Sequence, residues 1–169
     1  MELTNVNKNI HIIYRDYKKN IDICTLISIK KFCKKNNFKF YLSNNIKLAL
    51  RCGLDGVYIP AFNKQINFKK YTVPKGFSII GSAHNIRETL IKRMQGCKLV
   101  FLSPIFKVRK KKYYLNTIRF NLITLNIKMS FIALGGIKKK NMKKLKLLNI
   151  DGFAGISFFQ KKTAPNRGR

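Results

Sequence analysis

Short runs of β-branched, aromatic and aliphatic residues alternate along the chain with longer stretches in which apolar positions recur every three or four residues. The first pattern fits strands buried in a sheet and the second fits amphipathic helices packed on it. Strands are predicted at 10–14, 39–42, 56–59, 77–81, 99–102, 131–134 and 152–156. Helices are predicted at 22–35, where Ile23, Leu26, Ile29 and Cys33 share a face, and at 86–95, where Ile86, Leu90 and Met94 do. Residues 45–52, 116–127 and 139–148 show the same spacing. This alternation is the signature of βα units and a parallel sheet. Gly53-Leu54-Asp55-Gly56-Val57-Tyr58-Ile59 is echoed by Asn149-Ile150-Asp151-Gly152-Phe153-Ala154-Gly155-Ile156, which supports repetition of one helix-end, turn and strand unit.

In such a sheet, chemistry collects where strands end and the following loops begin. Those positions are polar: Arg15 and Asp16, Ser43 and Asn44, Tyr58 and Asn63, Ser82 and His84, Ser103, Gly135 and Gly136, and Ser157. The longest and most basic loop follows Pro104 and carries lysines 110 to 112. A closed barrel and an open doubly wound sheet both satisfy this arrangement. No Walker loop and no GxGxxG follows the early strands, which disfavours the common nucleotide folds.

A length of 169 residues and a 46% hydrophobic content suit one domain, expected over 1–160, with 161–169 as a flexible basic tail. The four cysteines lie far apart with no CxxC pair, so buried reduced thiols are expected rather than zinc or disulfides. The N-terminus lacks an apolar signal core, and no stretch approaches the roughly 20 apolar residues that span a bilayer. The expected compartment is the cytoplasm, with no membrane partner.

Charge changes the picture most. Lys and Arg number 36 against six acids, a formal +30. Such a balance ordinarily points to nucleic acid or another polyanion. The lysines are scattered over helix faces and turns rather than gathered in one block, which disfavours a dedicated nucleic-acid face. The acids are few enough to name: Glu2, Asp16, Asp22, Asp55, Glu88 and Asp151. Asp22 opens a helical run, Glu88 follows Asn85 at capping-box spacing, and Asp55 and Asp151 each precede a turn glycine. Only Asp16 is left for chemistry, which argues against paired-carboxylate catalysis or an all-carboxylate metal cage.

Five ordered segments resemble the thiamine-phosphate synthase/TenI-like family: Tyr14-Arg15-Asp16; Leu48-Ala49-Leu50 leading to Gly53-Leu54-Asp55-Gly56-Val57; Ile79-Ile80-Gly81-Ser82-Ala83-His84-Asn85; Leu102-Ser103-Pro104-Ile105-Phe106; and Ala133-Leu134-Gly135-Gly136-Ile137. Gly155-Ile156-Ser157 closes the series. The resemblance implies an α/β fold of the (β/α)8 TIM-barrel type, here lacking the first βα unit and built of seven. The strands at 10–14 and 152–156 would then be open edges, unless the true start lies upstream, the barrel closes with seven strands, or a partner such as a second copy of the chain covers the gap. It also implies thiamine biosynthesis by a transferase. The family joins a pyrimidine-methyl pyrophosphate to a thiazole phosphate and releases pyrophosphate with the help of Mg²⁺.

Carried over by position, Arg15, Ser82 and Lys111 would hold pyrophosphate, while Gly136, Ile156 and Ser157 would cradle the thiazole phosphate. Ser43 and Asn44 stand where the family has Asn-Asp, and Asn63 stands at a second metal-binding Asp. Both expected Mg²⁺ ligands are therefore neutral amides. Ile13, Tyr17 and Val108 replace a Gln, a Lys and a Thr of the family's pattern. In the TenI-like branch a histidine in the same strand-five segment as His84 takes part in proton transfer during thiazole tautomerisation, which suits a near-neutral imidazole. The alternative for His84 is a capping or hydrogen-bonding role, and His11 is assigned to structure or surface. Tyr58 either stacks on a ring or fills the barrel mouth. Four readings follow: synthase-like transfer, thiazole tautomerase, a non-catalytic phosphate-ligand-binding barrel, and, less favoured, a nucleic-acid binder.

Overall fold

A computed structural model describes residues 11–16, 21–109 and 111–155, save the side chain of Lys69. Ile10, Tyr17, Ile156, Ser157 and the expected tail lie outside the described residues. The strands are β1 (His11–Tyr14), β2 (Lys39–Ser43), β3 (Gly56–Ile59), β4 (Ser78–Ala83), β5 (Leu99–Leu102), β6 (Ser130–Leu134) and β7 (Gly152–Ala154). The helices are α1 (Ile23–Lys35), α2 (Ile46–Arg51), α3 (Ile86–Met94) and α4 (Asn116–Asn126). Strand order in the sheet is the order of the chain, β1 to β7. The chain divides into two compact units, one ending at Val100 and the other beginning at Phe101.

In the first unit β1, β2, β3 and β4 run parallel, with Tyr14 opposite Leu42, Ser43 opposite Tyr58 and Tyr58 opposite Ile80. Phe40, Tyr41 and Leu42 on β2 and Val57, Tyr58 and Ile59 on β3 are buried, as expected for parallel strands covered on both faces. Asp22, Asn45 and Asn85 cap the three helices by accepting backbone N–H groups of the first turn. Lys30 Nζ donates to the carbonyl of Cys52 at the end of α2 (2.8 Å), placing a cation where helix carbonyls lack partners. His11 stacks on Tyr41, with ring centroids 5.6 Å apart.

In the second unit β6 and β7 are parallel, with Ala133 opposite Phe153. Asn121 on α4 donates to the carbonyl of Leu147 and accepts from the N–H of Asn149, which ties α4 to the segment before β7. The loop after β5 closes on itself through Leu115 N–H to Pro104 O (2.9 Å) and Asn116 N–H to Ile105 O (3.1 Å).

Several expectations need correction. Residues Lys139–Leu147 form a 3-10 helix rather than an α-helix. On α3 the stripe Ile86, Leu90 and Met94 is exposed, and the buried side chains of the helix and its C-cap are Thr89, Lys92 and Gln95. On α1, Leu26 and Cys33 are buried as expected, but Ile23 is exposed. Of the four cysteines, all free, Cys33 and Cys97 are buried and Cys24 is exposed.

The internal echo has a physical meaning. Asp55 accepts the N–H of Phe40 through Oδ2 (2.9 Å) and donates its own N–H to the carbonyl of Phe40 (3.1 Å). Asp151 does the same to Phe131, at 2.9 Å for both bonds. Each aspartate therefore fastens the start of its strand to the strand before it. Replacing Asp55 or Asp151 by Ala strands a buried N–H and is expected to cost about 1–3 kcal/mol. Urea unfolding checks this, with Asp→Asn costing less because the amide oxygen still accepts.

Burial and the nearby Lys39 hold the His11 imidazole below its ordinary pKa. A depressed folded-state pKa means that the stability His11 contributes is present above about pH 6.5 and is lost as acid protonates it in the fold. Denaturant midpoints measured from pH 7.5 to 5 should fall, and H11F should flatten that slope.

Candidate functional site

The carboxyl ends of β1 to β4 bring together most of the first-unit residues singled out in the sequence. Arg15 follows β1 and places its guanidinium carbon 6.0 Å from the ring centre of Tyr58, within cation–π reach. Tyr58, on β3, is buried, and its carbonyl accepts the N–H of Asn44 (2.8 Å). The Tyr58 ring thus packs in the strand layer with a cation beside it. Ser43 and Ser82 are both buried at the ends of β2 and β4. Asp16 accepts from the Tyr14 hydroxyl (3.4 Å), a local contact that draws its carboxylate toward the strand end.

Asn44 and Asn63 are also brought together. Asn63 Nδ2 donates to Asn44 Oδ1 at 2.6 Å, and Asn63 Oδ1 accepts the N–H of Gln65 at 2.8 Å. The pair forms part of the wall of a cleft of about 480 Å³ that is also lined by Phe62, Phe68 and Tyr71. Mg²⁺ requires hard, preferably anionic, oxygen donors in octahedral array. Here both donors are neutral, one amide oxygen is spent on the other amide and the second on a backbone N–H. Among the described residues no group of three or more His, Cys, Asp or Glu could hold a metal ion. The residues present do not fit a Mg²⁺ site.

His84 follows β4, and its backbone N–H donates to Glu88 Oε2 (2.7 Å) while the Glu88 N–H donates to Asn85 (2.9 Å). The capping pair expected at Asn85 and Glu88 is present, shifted by one residue on the carboxylate side. His84 is thereby held at the entrance to α3.

The second unit holds Gly136 and Lys111. Gly136 lies after β6 at φ +74°, and a Cβ there would sit 2.6 Å from the Phe106 carbonyl oxygen. With Ile105 N–H on Leu134 O (2.9 Å) and Phe106 N–H on Gly135 O (3.1 Å), the two glycines let the loop after β5 lie directly on the end of β6. Lys111 is exposed at the far part of that loop, where its N–H donates to Val108 O (3.2 Å).

Sequence reading missed Lys92 and Gln95. Lys92 is fully buried, and its Nζ donates to Pro60 O (2.8 Å), Asn63 O (2.8 Å) and Gln95 Oε1 (2.9 Å). Burial lowers its pKa to about 8, so it remains an ammonium at neutral pH. The same burial raises the neighbouring Cys97 thiol to about 12, leaving it un-ionised. Gly81 is the sequence signal that could have found Lys92: a Cβ there would meet Lys92 Cδ at 2.8 Å, so the bare strand leaves a channel for the lysine stem.

Comparison with known proteins bears on all of this. The chain is 30% identical over 136 residues to thiamine-phosphate synthase 1 of Streptococcus pneumoniae, covering 78% of this chain and 64% of that protein. It is 28% identical over 131 residues to the thiamine-phosphate synthase of Prochlorococcus marinus, covering 76% of this chain and 38% of that protein. The chain thus spans between about two fifths and two thirds of the length of these relatives. A thiamine phosphate pyrophosphorylase from Pyrococcus furiosus shares its fold, with a TM-score of 0.66, 20% identity, and coverage of 88% of this chain and 72% of that one. The fold class read from the sequence, an α/β barrel type with seven strands, agrees with that likeness. No helix among the described residues is long and apolar enough to cross a membrane. The thiamine monophosphate synthase family model matches residues 11–159, and the chain belongs to that family, the thiamine-phosphate synthase/TenI-like proteins.

Proposed function

We propose that this chain acts in thiamine biosynthesis as a synthase-like transferase, moving a pyrimidine-methyl group from its pyrophosphate to a thiazole phosphate. The observation that carries the reading is Arg15, held against the Tyr58 ring at the carboxyl ends of the strands, within a family match spanning nearly the whole chain. In the transfer the bond from the methylene carbon to the pyrophosphate oxygen breaks, the thiazole nitrogen bonds to that carbon, and pyrophosphate leaves with its electron pair. A leaving group of that kind needs positive charge and hydrogen-bond donors held ready where its own negative charge grows. Arg15, Ser82 and Lys111 would supply them. Gly136, Ile156 and Ser157 would hold the thiazole phosphate through backbone N–H groups.

The amide pair Asn44 and Asn63 favours a second reading, a barrel that binds the phosphorylated ligand without turning it over. A tautomerase reading rests on His84 alone.

Titration calorimetry against thiazole phosphate and against inorganic pyrophosphate, followed by an assay for thiamine phosphate formation from both substrates, separates these readings. Saturable binding with product formation is expected. R15A should weaken pyrophosphate about tenfold to a hundredfold, as for a lost hydrogen bond to a charged group. Binding without turnover would leave the ligand-binding reading. Turnover of the thiazole substrate alone, abolished by H84A, would establish the tautomerase. No binding to either ligand, with steeply salt-dependent binding to an oligonucleotide, would overturn the thiamine assignment.

A further inference from the structure

Lys92 sits on the sheet-facing side of α3, at 0% exposure, where an amphipathic helix ordinarily places an apolar residue. Burying an ammonium is costly unless each of its donors is engaged. Here all three are, and two of them end on the loop that follows β3: the carbonyls of Pro60 and Asn63. Gln95, also fully buried, accepts the third and donates from Nε2 to Asn63 O (2.9 Å) and Gln65 O (2.8 Å). The two side chains thus place four bonds on residues 60–65.

The result is that Asn63 has no freedom. Its N–H donates to Pro60 O (3.1 Å), and its carbonyl accepts from both Lys92 and Gln95. Its side-chain oxygen accepts from Gln65, and its side-chain nitrogen donates to Asn44 Oδ1. Because the Asn44 oxygen is the acceptor, the other end of that amide is an N–H₂ donor of fixed direction. Two carboxylates at these positions would repel a phosphate group and need a cation between. A donor amide can bind a phosphate oxygen directly.

We propose that Lys92 is a positioning residue: from behind β4 it locks loop 60–65, so that Asn63 holds Asn44 as a direct, metal-independent donor to a phosphate group. The ligand half of this statement rests on the pyrophosphate site put forward under Proposed function. Lys92 itself touches no ligand and acts through Asn63.

The test measures Kd for inorganic pyrophosphate and for thiazole phosphate with the full chain, in EDTA and in Mg²⁺, for wild type, K92M, N63A and the double variant. Expected are a wild-type pyrophosphate Kd that EDTA leaves within twofold, and a rise of tenfold or more in K92M, with thiazole phosphate changed less than twofold. The double variant should be no weaker than the weaker single, since both act on one group. Amide hydrogen exchange at residues 61–65 should quicken at least tenfold in K92M while β2 stays protected. Equal losses for both ligands, additive effects of K92M and N63A, or an unchanged pyrophosphate Kd in folded K92M would each overturn the proposal. So would a wild-type site that binds pyrophosphate only in Mg²⁺. Should wild type bind no pyrophosphate at all, the functional reading and the donor role of Asn44 fall together, and hydrogen exchange decides separately whether Lys92 locks the loop. Should K92M not fold, Q95L, which removes two of the loop's ties and spares the Lys92 bonds to Pro60 and Asn63, is put through the same measurements with the same criteria.

Discussion

Two carboxylates fix where strands begin. Asp55 and Asp151 each make the same two-bond contact with a phenylalanine, the second residue of the strand before it, and in a parallel sheet that contact sets the register from which all later positions are counted. With register fixed, Ser43 stands opposite Tyr58, and the residues beyond the strand ends fall into the same layer. A slip of one residue would turn Tyr58 and Ser43 to the other face and dissolve the site. The scarcity of acids sharpens the point, since two of six carboxylates serve this purpose, and Asp22 and Glu88 secure the starts of helices.

Sequence reading recovered the strands within one or two residues because each is a short run rich in apolar residues bounded by polar, Gly or Pro positions. It recovered the Asp-Gly echo because a turn before a strand needs those residue types in that order. It failed on α3 for an instructive reason. Ile86, Leu90 and Met94 give a clean apolar stripe, yet the face turned inward is the one whose donors match the carbonyls of loop 60–65. Hydrophobic periodicity weighs side chains by polarity and cannot see that a lysine has three acceptors waiting. The 3-10 geometry of Lys139–Leu147 was hidden too, because the spacing of Leu145 and Leu148 suits either helix over so short a span. Of the site, the positions of Arg15, Ser43, Asn44 and Asn63 were legible as strand-end residues. Their mutual hydrogen bonds were not, because nothing in one dimension says that residues 19 apart share an amide contact.

The charge of the chain also looks different once its lysines are located. Lys30 closes the carboxyl end of α2 and Lys92 closes the loop after β3, so part of the excess is structural rather than directed at a partner. The other lysines and arginines whose side chains are described are exposed. A diffuse positive field draws anions of every kind toward the protein and raises encounter rates, but it does not choose among them.

Choice must therefore come from orientation, which the donor role proposed for the amide pair would supply without a metal ion. A divalent cation between two aspartates fixes a phosphate chiefly by charge, an attraction that does not depend on the direction of any one N–H. An amide donor works only if its N–H points along the line to the acceptor, since hydrogen bonds weaken steeply once that angle is lost. Exchanging carboxylates for amides therefore moves the burden from the ligands to the scaffold beneath them. Lys92 and Gln95 sit where that burden falls, binding the loop through its backbone so that the side chains of Asn63 and Asn44 have one arrangement to adopt. On the proposal made above, the buried ammonium and the neutral amides act as one device.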